Sequence, residues 1–216
     1  MNTKTSSLVA FISLVYFFIY RGLGTLWPSF FANPNVARGA LFLAFLASLG
    51  WLLFFASFLS VADRENLNSF RVATGWAIFG SACICFLYFR ENLRIFGIDF
   101  LREVIFSERM EKLVVFFPLL GTALMLIFII FLVRYKAIVL SPQSQQAVTW
   151  AVGGAAASFL LRLVVVVNFL LTQESKWMGD LQGILLYFGL FLLIISFIGW
   201  GGFLWVLSTE KNDVIA

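Results

Sequence analysis

The stretch SFLLRLVVVVNFLL, Ser158 to Leu171, has the composition of the middle of a membrane helix except for one arginine, Arg162. A guanidinium group cannot escape by giving up its proton, and a charge near the bilayer centre costs at least a few kcal/mol. Its neighbours in space must therefore compensate it. Steps of four and three from Arg162 toward the N-terminus reach Ser158, Ala155 and Ala151, with Gly154 beside that line. A face of small residues lets membrane helices approach closely, so Arg162 is expected on the packed side of its helix. Helical side chains lean toward the N-terminus, which would carry the guanidinium over Ser158 and Ala155.

Counted at about 1.5 Å per residue from the nearer end of its apolar run, Arg162 lies roughly 15 Å deep. Ser48, Ser81 and Thr122 fall roughly 12 to 14 Å from the same surface. Arg162, Ser158, Thr122, Ser81 and Ser48 thus form a candidate layer for binding an anionic group. Asn168 lies about 240° around the helix from Arg162, and is assigned to a separate interhelical hydrogen bond. None of the apolar runs contains Asp or Glu, so the partner of Arg162 must be a hydroxyl, a backbone carbonyl, water, an anionic ligand or a carboxylate of another chain.

Other chemistries find little support. The sequence has no histidine, which removes the usual haem, zinc and copper ligand and the base of a Ser-His hydrolase. Paired carboxylates inside the membrane, an intramembrane lysine and phosphate-binding glycine loops are also absent, so neither an enzyme nor a bound metal or cofactor is expected. Cys83 and Cys85 fall on nearly opposite faces of one helix, unsuited to a mutual disulfide or a chelate.

Of the 216 residues, 62% are hydrophobic and 12% charged, against about a quarter charged in soluble domains. The outer solvent of such a chain is lipid. A net charge of +4 raises the question of nucleic acid, but the basic residues are scattered at the ends of apolar runs and form no patch, so no nucleic-acid binding is expected.

Six apolar runs, at about 7–20, 39–62, 70–89, 113–133, 147–172 and 183–207, approach the roughly 20 residues that cross a bilayer. They are apolar on all faces, unlike the alternating strands of a membrane barrel. The sequence therefore predicts an all-α, polytopic integral membrane protein, a single domain over 1–216 built as a six-transmembrane-helix bundle. The first run is short, with a continuation through Gly22 and Leu26 open to it; it lacks a small-residue cleavage pattern and is taken as a retained helix. Pro118 and Gly121 predict a kink in the fourth. The long connection from Arg90 to Lys112 has an apolar and a polar side, and predicts an amphipathic helix lying at the membrane interface between the third and fourth spans.

With an even number of spans the termini share one side. Lys and Arg number six on that side and eight on the other, so the compact charged turns Asp63-Arg64-Glu65 and Arg134-Tyr135-Lys136 guide the orientation. They place the termini in the cytoplasm of a protein of the plasma or inner membrane. The functional expectation is a small transporter or permease, or the membrane component of one, whose arginine binds an anionic small molecule or lipid headgroup. The alternative is a non-catalytic subunit of a larger membrane complex, in which Arg162 meets a partner membrane subunit or a second copy in a homo-oligomer.

Overall fold

The computed structural model describes residues 3–96, 113–174 and 179–209. Its regular elements are all helical: α1 (Thr3–Leu26), a short 3-10 turn (Pro28–Ala32), α2 (Pro34–Arg64), α3 (Asn68–Phe96), α4 (Phe117–Val139), α5 (Pro142–Glu174) and α6 (Gly179–Thr209). Six of these helices are long and apolar enough to cross a membrane, which fits a multi-pass membrane protein.

Proline marks the helix starts. Pro28, Pro34 and Pro142 open their elements, and Pro118 stands in the first turn of its helix. There the missing N–H would have had no helical partner anyway. Pro118 therefore stands in the first turn of α4, just after a turn at 115–116, where the sequence had suggested a kink inside the span. All six helices differ in their bounds from the apolar runs. α1 runs past Tyr20 to Leu26, taking Arg21 into the helix, and α3 runs past Phe89 to Phe96. Arg90, expected in a connection, is helical, 4% exposed and joined to Glu91 at 2.9 Å. The remainder of the predicted interfacial helix, 97–112, lies outside the described residues.

The helices form a closed ring. Each packs against its neighbours in sequence, and α1 packs against α6 to complete the circle. Without a hydrophobic drive between helices in lipid, close backbone approach must supply the contact. Glycine provides it at two seams. A Cβ on Gly80 of α3 would stand 2.8 Å from the carbonyl oxygen of Gly121 in α4, and the reverse distance is the same. A Cβ on Gly154 of α5 would stand 2.6 Å from the amide nitrogen of Trp200 in α6, and one on Gly199 would come closer still to the amide nitrogen of Gly154.

In the half of the ring nearest the termini, large side chains fill the centre. Phe54, Phe55, Phe58, Phe70, Phe128, Phe203, Leu132 and Leu204 are all fully buried. Phe128 of α4 sits 5.0 Å from Phe55 and 5.4 Å from Phe58, both edge to face, the favoured geometry for aromatic rings. Ser6 of α1 and Ser57 of α2 join at 2.9 Å within this plug.

Candidate anion-binding cavity

The other half of the ring is hollow. A cavity of about 750 Å³ is walled by all six helices. Its lining follows helical stripes: Leu14, Phe18, Arg21 and Thr25 on α1; Ser81, Ile84 and Tyr88 on α3; Ser158, Arg162 and Val165 on α5. Spacings of three, four and seven put such residues on one face. Trp51 and Trp200, 5.0 Å apart and edge to face, lie at the boundary with the plug.

Every residue of the predicted layer lines this one cavity: Arg162, Ser158, Thr122, Ser81 and Ser48. Most of the hydroxyls are already engaged. Ser48 donates to the Phe45 carbonyl at 2.6 Å and Ser158 to that of Gly154 at 2.8 Å. Thr122 reaches the carbonyls of Pro118 and Leu119, each at 3.0 Å. Ser158 also meets Ser196 of α6 at 2.5 Å, joining the two helices beside the glycine seam. Ser81 differs: it is 1% exposed and its hydroxyl has no hydrogen-bond partner.

The sequence placed the Arg162 guanidinium over Ser158, which lines the same cavity. Across the cavity, Tyr88 of α3 lines the same space as Arg162 and as Arg21 of α1, and its phenol interacts electrostatically with both guanidinium groups. The Ser158 hydroxyl is committed elsewhere, whereas the Tyr88 ring is buried and held against Phe17 at 5.4 Å. Two guanidinium groups close enough to repel each other thus face one phenol. Among the described residues neither has a carboxylate partner within ion-pair distance, and the lining contains no Asp, Glu, His, Lys or Cys. Asn168 also lines the cavity, with its Oδ1 unpaired. Its placement follows because the lined arc of α5 passes through Val165 and Leu161, so Asn168 and Arg162 occupy the two edges of one broad face.

Sequence reasoning missed Arg21 and Tyr88. Arg21 ends the apolar run and resembles a flanking charge. The signal was the continuation of helical residues to Leu26, which places Arg21 about 7 Å inside the helix end. Tyr88 was visible only as the residue seven beyond Ser81, one position among many in an aromatic run.

The arrangement can bind and orient. Two cations, a phenol between them and a hydroxyl without a partner are groups suited to negative charge. No protein family, curated protein or solved structure matches the chain, so its functional reading stands on this cavity.

Proposed function

We propose that this multi-pass membrane protein binds an anionic group in the cavity and carries it across the bilayer. The supporting observation is the pair Arg21 and Arg162, both lining with Tyr88 a membrane-depth cavity that has no carboxylate among its described lining residues. Unpaired charge at such depth is costly, and an anion entering the cavity would relieve it. The ring supports a carrier in a second way, since the same helices that bound the cavity in one half close it with aromatic packing in the other. A carrier needs such a one-sided state.

The test is thermal unfolding of the purified protein with a panel of inorganic and organic anions. Anions should raise the midpoint of the wild type and lose that effect in Arg162→Gln and Arg21→Gln. A stoichiometric second polypeptide retained in native mass spectrometry and released by Arg162→Gln would instead favour the subunit reading, with a partner carboxylate in the cavity. For transport itself, Val165→Cys in a background lacking Cys83 and Cys85 should react with membrane-impermeant thiol reagents from both sides of proteoliposomes. Labelling from one side alone, with saturating anion present, would reduce the protein to a binder.

A further inference from the structure

The cavity is larger and greasier than its charged groups require. Inorganic anions need only the arginine pair, yet the cavity measures about 750 Å³, within the range of roughly 300–1,000 Å³ that holds drug-sized organic molecules. Below and beside the arginines the walls are Leu14 and Phe18 of α1, Val165 of α5, and Leu190, Leu193 and Phe197 of α6. The hydroxyls of Ser48, Thr122 and Ser158 add little polarity there, since each donates within its own helix.

Charge fixes the head of the occupant. Arg21 and Arg162 line one cavity together with Tyr88 and repel one another, so a singly charged anion would leave net positive charge in a low-dielectric site. A doubly charged group would neutralise both, and guanidinium forks match phosphate oxygens in geometry as well as charge.

We infer that the cavity takes an amphiphilic dianion: a phosphate monoester whose head lies between Arg21, Arg162 and Tyr88 and whose apolar body packs against Leu14, Phe18, Leu190 and Phe197. This rests on the anion-binding reading above and specifies its ligand. The shared chemistry is a phosphate on an apolar chain, supplied either from the bilayer as a lipid or from water as a small organic phosphate.

The experiment measures binding of inorganic, ethyl, butyl and hexyl phosphate to the full chain in maltoside micelles, with hexyl sulfate and hexanoate as monoanions of matched length. Affinity should rise up to about fourfold per added methylene while the chain is being buried, and hexyl phosphate should bind at least tenfold tighter than hexyl sulfate or hexanoate. Arg21→Gln and Arg162→Gln should each erase the preference for phosphate over sulfate. Leu190→Trp, which fills the apolar region, should abolish the chain-length gain while leaving inorganic phosphate binding intact. A gain that ends at butyl assigns the ligand to the water-soluble source. A gain continuing through hexyl, with phosphate-headed lipid retained by the purified protein in mass spectrometry, assigns it to the bilayer. Equal affinity for inorganic and hexyl phosphate, lost in both arginine variants, would overturn the amphiphile and leave anion binding standing. Equal affinity for the monoanions would overturn the dianionic head. Absence of binding by every anion would remove the anion reading together with this one.

Discussion

The two halves of the bundle use the same six helices for opposite ends. Near the termini, Phe54, Phe55, Phe58, Phe128 and Phe203 point inward and leave no space. In the other half the inward positions on α1, α3 and α5 include Arg21, Tyr88 and Arg162, and a cavity remains. Both halves are flanked by lipid-facing residues such as Trp76, Phe79, Ile184 and Phe191, so outer composition does not separate them. The contrast teaches that in a membrane bundle the inward stripe decides between wall and vestibule. Aromatic side chains interdigitate to near crystal density, whereas two like charges resist being closed upon.

This contrast can be broken most severely at Phe128. Its ring joins α4 to Phe55, Phe58 and Phe70, so Phe128→Ala should cost about 3–5 kcal/mol, seen as a lower unfolding midpoint in detergent. Anion binding in the opposite half should survive in the fraction that stays folded.

Gly199→Val attacks the junction of the two halves. The added methyls would meet the backbone of Gly154 and the carbonyl of Trp150, forcing α5 and α6 apart at about 1–3 kcal/mol. The same separation would move Arg162 relative to Tyr88, so anion stabilisation should weaken along with the fold.

Arg162→Gln should act in the reverse direction from any plug substitution. It removes a charge that the folded protein compensates only in part, so without ligand the unfolding midpoint should rise, by about 1–2 kcal/mol of the few that such a charge costs. Anion-dependent stabilisation should vanish at the same time. A lower midpoint without ligand would show that the arginine is a structural anchor.

The smallest effects sharpen the contrast within the hydroxyl layer. Ser158→Ala breaks the contact with Ser196 and should cost about 1 kcal/mol. Ser81→Ala removes a hydroxyl that has no partner, so stability should be unchanged within about 0.5 kcal/mol, with any loss confined to anion affinity. Equal stability losses at the two positions would show that Ser81 is engaged in the fold.

Much of the architecture could be read from the chain. The apolar runs located all six helices, because a membrane helix must satisfy its backbone internally and cover itself with apolar side chains along its whole length. The ends were read less well. Arg21 and Arg90 were taken as the limits of spans, since charge ordinarily flanks an apolar run, but both continue a helix whose other faces remain apolar. Pro118 was misplaced for the converse reason: a proline inside an apolar run suggests a kink, and only the backbone shows that the helix begins beside it.

For the cavity, the sequence by itself determined that Arg162 needed a partner and that small and hydroxylated residues stood at its depth. Residue type and helical spacing carry that information, because burial of a permanent charge has a cost wherever it occurs. Only the tertiary structure decided which groups it meets. The closure of α1 onto α6 and the placement of α3 bring Arg21 and Tyr88 to Arg162 from 141 and 74 residues away in the chain, and no local pattern encodes such a meeting. It arises from the order of helices around the ring, set by glycine seams and aromatic packing that act between segments.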